Sequence, residues 1–169
     1  MADLKQMYRE LVSLEIELWN GIEGRLRAEY DLPLTSFEVL HLLLRRPGLR
    51  IQDIAEEFSI TVGGTSKVID RLEAAGLCGR RANPSDRRSS IVQLTAEGQK
   101  LVDGAVKVFE DELELRIGSV ISEQSVREVT TVLNTLRAAG RALDAERKAR
   151  GRTPVPAMPA LKQPGRPAS

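Results

Sequence analysis

The sequence reads as a mainly α-helical chain with one small β-ribbon, and three observations carry that reading. Residues 83–95 run Asn-Pro-Ser-Asp-Arg-Arg-Ser-Ser-Ile-Val-Gln-Leu-Thr, a turn followed by polar–apolar alternation of period two, with Leu77-Cys78-Gly79-Arg80-Arg81 supplying a strand ahead of it. Upstream, apolar residues recur at helical spacing in two short stretches, residues 50–58 and 62–77. Longer stripes of the same spacing occupy both ends of the sequence. Helix, short turn, helix and basic ribbon is the order of a winged helix-turn-helix, flanked here by long N- and C-terminal helices.

Residues 3–30 form the first helix, with Leu4, Met7, Leu11, Leu14 and Leu18 in seam spacing and Trp19, Ile22 and Leu26 continuing the stripe. Thr35-Ser36-Phe37-Glu38 opens the second as a capping box, and Arg45-Arg46-Pro47-Gly48 closes it. The third buries Ile51, Ile54, Ala55 and Phe58. After Ser59-Ile60-Thr61, with Thr61 as N-cap, the fourth turns Thr65, Val68, Ile69 and Leu72 inward and Val62, Gly63, Ser66 and Lys67 outward, and Gly76 stops it. In the ribbon, residues 83–86 make the turn, and Arg87 and Arg88 fall at the protruding tip, where cations reach phosphates or a minor groove. Thr95 caps a helix over residues 96–118 that buries Leu101, Ala105, Val108 and Leu113 or Leu115. Ser122 caps the last helix, residues 121–144, whose seam is Val126, Val129, Leu133, Leu136 and Leu143.

Charge is distributed unevenly along the 169 residues. Residues 1–44 hold 4 Lys/Arg against 8 Asp/Glu, residues 45–90 hold 9 against 6, and residues 91–144 hold 6 against 9. The helix-turn-helix and ribbon are thus the basic block of the globular part, as befits a surface that displaces counterions from DNA. Residues 145–169 hold 6 against 1 together with five of the eight prolines, which reads as a flexible basic tail. One cysteine excludes an internal disulfide, and one histidine with one cysteine argues against a zinc or iron site, so no cofactor or metal is expected. Nucleophile–base pairs and phosphate-cradling loops are missing, which argues against an enzyme. No apolar run approaches a membrane span and the N-terminus lacks signal-peptide character, so the expected location is cytoplasmic.

Asp70-Arg71-Leu72-Glu73-Ala74-Ala75-Gly76-Leu77, followed by Asp86-Arg87-Arg88-Ser89-Ser90-Ile91-Val92-Gln93-Leu94-Thr95, resembles the MarR (multiple antibiotic resistance regulator) family of transcription factors. The family's wing carries Asp-x-Arg, five variable residues and Leu-Thr, and Asp86, Arg88, Leu94 and Thr95 fill those places. The resemblance covers residues 5–143. It implies a homodimer whose first, fifth and sixth helices interlock, placing Leu4, Met7, Leu11, Leu14, Val129, Leu133 and Leu136 in the interface. It also implies a pocket for a small aromatic or anionic effector, for which Trp19 and His41 are the polar-edged residues best placed, core packing being the other role for each. Where relatives carry small polar residues this chain has Gly63 and Gly64. These either let the helix approach a phosphate or relieve crowding in the turn.

The expected function is a dimeric, ligand-responsive repressor on a pseudo-palindromic double-stranded DNA operator, with a winged-helix protein-interaction module as the alternative. Residues 1–34 and 96–149 are assigned to dimerisation, residues 35–95 to DNA binding and residues 150–169 to the tail. DNA contacts are expected from Thr61, Val62, Gly63, Gly64, Ser66, Lys67, Arg87 and Arg88. Asp86 pins the wing by pairing with an arginine, and Cys78 is a core thiol rather than a redox switch.

Overall fold

The computed structural model describes residues 3–84 and 86–151, Arg87 and Arg88 by their backbone alone. In chain order the elements are α1 (Leu4–Tyr30), α2 (Leu34–Arg45), α3 (Ile51–Phe58), α4 (Val62–Ala74), β1 (Cys78–Asn83), β2 (Asp86–Leu94), α5 (Ala96–Leu113) and α6 (Glu123–Ala149). A π turn, Glu114–Gly118, separates the last two. The described residues pack as two units, one running through residue 110 and the other starting at residue 111. The tail expected from residue 150 lies, from residue 152 on, outside the described residues.

In the first unit, the Asp3 carboxylate accepts the Lys5 and Gln6 amides at 3.0 Å each and so caps α1, a contribution of about 1 kcal/mol. The helix stops at Asp31, whose φ of 49° turns the chain left-handed, while the Leu32 amide returns to the Leu26 carbonyl. That closure buries Leu32 beside Ile22 and Leu26, the only buried positions of α1.

The capping box expected at Thr35 is not formed. Pro33 takes the N-cap position with φ −61°, so α2 starts two residues earlier than the hydroxyl requires. The Leu34 amide donates instead to Glu23 Oε2 of α1 at 2.5 Å, and Arg27 holds the other oxygen of the same carboxylate. An acid eleven residues upstream thus takes the role predicted for a local hydroxyl, and it ties α1 to α2. Phe37, Leu40 and Leu43 of α2 join Leu26, Ile54, Ile69, Val92 and Val102 as the fully buried centre, each worth about 1.5–3 kcal/mol over exposure.

The inward face of α5 matches the expected one at Ala105 and Val108 and differs at its ends. Val102, Ala105 and Val108 are buried, whereas Leu101 and Leu113 are half-buried and Leu115 is exposed. Two glycines permit close approaches along this helix. A Cβ on Gly98 would lie 1.8 Å from the Leu77 carbonyl oxygen, and one on Gly104 would lie 2.7 Å from the Tyr30 hydroxyl of α1.

The second unit begins with the end of α5. Its α-helical turns widen into the π turn, where the helix expected to run unbroken to residue 118 changes pitch. Glu112 is buried and accepts from Arg116 Nε at 2.5 Å. Ser122 caps α6 through the Ser125 amide at 3.2 Å, and the helix runs five residues beyond the predicted end. No residue of α6 is buried in a single chain.

Candidate nucleic-acid interface

The site grows from the turn between α3 and α4. Asp53, in the first turn of α3, reaches back to the Arg50 amide at 2.9 Å and grips the guanidinium with both carboxylate oxygens. At the far end Ser59 adopts φ 54°, and the Ile60 amide closes on the Ala55 carbonyl. Thr61 then caps α4: its Oγ1 accepts the Gly64 amide at 3.1 Å. Thr65, fully buried, donates its hydroxyl to the Thr61 carbonyl at 3.1 Å. The helix ends through Gly76, at φ 72°, with the Leu77 amide returning to the Leu72 carbonyl.

Val68, Ile69 and Leu72 are buried beneath α4. Thr61, Val62, Gly63 and Lys67 are exposed, and Gly64 and Ser66 are half-buried. The two glycines differ in surroundings. A Cβ on Gly64 would come within 3.1 Å of the capping Thr61 Oγ1, whereas one on Gly63 would meet nothing within 4 Å. Crowding in the turn therefore accounts for Gly64 and leaves Gly63 without a reason inside the chain.

The ribbon is antiparallel, with Cys78 opposite Leu94 and Ala82 opposite Ser90. Beyond that pair Asn83 faces Asp86, so Arg87, Arg88 and Ser89 are extra residues bulging from β2. The predicted ribbon was shorter, with both arginines at the protruding tip after the turn of residues 83–86; the backbone places them within β2, in the bulge. Asn83 Nδ2 donates to Ser89 Oγ at 2.9 Å and Ser89 Oγ to the Asp86 carbonyl at 3.1 Å, which spans the bulge. Asp86 lies near enough to Arg50 to favour its charge, although the Asp53 hydrogen bonds are the main reason that guanidinium is held so firmly protonated. Ser85 lies outside the described residues.

Arg80 went unnoticed in the sequence. Its guanidinium joins Asp70 Oδ1 at 2.5 Å and the Glu73 carboxylate, while its amide donates to Glu73 Oε1 at 3.0 Å. The Asp70 hydrogen bond leads in holding Arg80 charged. Two carboxylates three residues apart on one helix face were the available signal. At the other strand the Val92 amide donates to the Leu49 carbonyl at 2.8 Å, and Thr95 Oγ1 donates to the Gly76 carbonyl at 2.7 Å while capping Gly98.

Cys78 is buried, and burial pushes its thiol up to about 11, ahead of the nearby Glu73 charge. His41 stacks on Phe37 at 5.4 Å with Phe109 6.3 Å away, and burial and then Arg45 hold its pKa below the usual imidazole value. Burial raises that of Glu38 one turn earlier. Trp19 is half-buried on α1. The seam residues Leu4, Met7, Leu11 and Leu14 of α1 and Val129, Leu133 and Leu136 of α6 are between 39% and 69% exposed.

The sequence pattern of the MarR family matches residues 32–90, the span from the end of α1 through the bulge. Over 105 residues the chain is 32% identical to the HTH-type transcriptional regulator MhqR of Bacillus subtilis (strain 168), a match covering 62% of this chain and 72% of that protein. Matches to Bacillus subtilis regulators span 66% to 72% of their lengths. Among solved structures, AbsC, a MarR family regulator from Streptomyces coelicolor, superposes with TM-score 0.76 at 21% identity, over 84% of this chain and 97% of its own. The transcriptional repressor CouR, solved on a 23-mer DNA duplex, superposes with TM-score 0.70 at 26% identity, over 81% and 99%. A capped recognition helix tied to a β-ribbon, a matching sequence pattern and a relative of this similarity together place the chain in the MarR family of winged helix-turn-helix transcriptional regulators.

Proposed function

We propose that the chain acts as a homodimer that binds a pseudo-palindromic DNA duplex, with half-sites one helical turn apart, and represses the genes beside it until a small molecule releases it. The observation that carries this reading is the outer face of α4: Val62, Gly63 and Lys67 are exposed on a helix whose opposite face is wholly buried. CouR, at 26% identity a transcriptional repressor bound to DNA, supports the same use of this fold. The two apolar stripes of α1 and α6 support the dimer, because exposed seams of this length call for a partner surface. In this reading residues 35–95 contact DNA, residues 1–34 and 96–149 hold the dimer, and the tail from residue 150 stays near the phosphates. Thr61, Gly64 and Ser66 position the helix against the backbone, and Lys67 meets a phosphate or a guanine edge. Arg87 and Arg88 contribute phosphate or minor-groove contacts, with Asp86 steadying the wing, roles drawn from the sequence. An aromatic or anionic effector sits by His41, and Trp19 belongs to the same assignment.

The protein is a regulator without catalytic chemistry and works where the chromosome is, in the cytoplasm. Among the described residues no helix is long and apolar enough to cross a membrane. Mobility shift on the DNA upstream of the chain's own gene tests the reading. The expected result is a retarded complex, resistant to random competitor at physiological salt and weakened by joint Arg87→Ala/Arg88→Ala substitution. Binding that is absent or indifferent to sequence would favour a protein-interaction module instead.

A further inference from the structure

Between Ile16 and Leu115, Val62 is the only large apolar side chain among the described residues that stands exposed, at 52%. The other valines of this stretch, Val39, Val68, Val92, Val102 and Val108, are all buried, or in the case of Val106 half-buried. Val62 opens α4, and its neighbours decide what that turn offers to a groove. The Thr61 hydroxyl oxygen is engaged by the Gly64 amide, the Thr65 hydroxyl is buried on the Thr61 carbonyl, and Gly63 has no side chain. The leading turn of the recognition helix therefore presents two methyl groups and bare backbone rather than a forked hydrogen-bonding side chain. A β-branched side chain is stiff at χ1, so those methyls are held in place before any contact. In the major groove one base feature answers an apolar probe, the C5-methyl of thymine.

Building on the operator reading above, we propose that Val62 packs on a thymine C5-methyl in each half-site and makes an A·T pair the preferred pair there. Gly63 serves the same contact, since the open space beside it lets the turn come close to the bases. The test uses the full chain. A duplex is enriched from a random pool, each thymine is replaced singly by deoxyuridine, and affinities are measured for wild type and Val62→Ala. Deoxyuridine removes one methyl group and leaves every Watson–Crick contact.

One thymine per half-site is expected to show about a fourfold loss with wild type, the worth of one buried methyl. Val62→Ala, which keeps a good helix former at this position, is expected to bind the methylated and unmethylated duplexes equally. Enrichment of a duplex with no deoxyuridine-sensitive thymine, or with a sensitivity that persists in Val62→Ala, overturns the role of Val62 alone. Failure to enrich any duplex overturns the operator reading together with it.

Discussion

Gly63 shows how one residue's surroundings separate a structural need from a functional one. Gly64 is held small by the Thr61 hydroxyl that caps its amide, but around Gly63 there is room for a side chain. Gly in a helix costs up to about 1 kcal/mol against Ala, and nothing within the chain offsets that cost here. Gly63→Ala should therefore raise the melting temperature by about 2–4 °C in a thermal scan while weakening operator binding roughly tenfold or more, the worth of a charged hydrogen bond to phosphate lost by standing off the backbone. A variant that is both more stable and equally tight would show that the glycine is there by accident. The same scale explains Cys78. Burial pushes its thiol up to about 11, which keeps it protonated at neutral pH and packed in the core beneath β1.

Among the elements, the tie between α4 and the wing is the one most open to perturbation. Arg80 of β1 clamps Asp70 and Glu73, and without it two like charges three residues apart face each other. Arg80→Met should cost about 1 kcal/mol of stability, modest because Asp70 is largely exposed, yet weaken operator binding by freeing the wing from the recognition helix. Arg80→Lys keeps the charge but loses the fork. If lysine restores full affinity in titrations, the residue acts through charge alone; a loss close to that of methionine marks a positioning role. Local rules made much of this legible in advance. Thr61, Thr95 and Ser122 each sit beside the amides they cap, so a hydroxyl and a following apolar stripe announce them. Glu23 as the cap of α2 was not legible because its partner comes from a neighbouring element and depends on how helices cross, and for Arg80 the sequence offered only the spacing of Asp70 and Glu73 on α4. The α5 face was misread by one residue for a related reason. Several adjacent apolar positions share the helical spacing, and the tertiary packing buries Val102 while leaving Leu101 half-buried.

At the scale of the whole molecule, the apolar seams of α1 and α6 set the terms of assembly. Leu11→Asp combined with Leu133→Asp places unpaired charges where the proposed partner helix packs, at a cost of several kcal/mol each if buried. Both positions are exposed in one chain, so the fold should survive, and light scattering should report a monomer or an aggregate in place of the dimer. An intact, soluble dimer would move the interface elsewhere. Among the described residues, three ties of the ribbon, Arg80 to α4, Val92 to Leu49 and Thr95 to Gly76, sit at its base, below the Ala82–Ser90 pair. Opening the base means breaking the core that Val92 fills, so the Val92 amide should exchange with solvent hydrogen only as fast as the first unit unfolds, as hydrogen exchange would report. On the timescale of an encounter with DNA the base of the ribbon arrives already ordered, so docking loses no conformational entropy there.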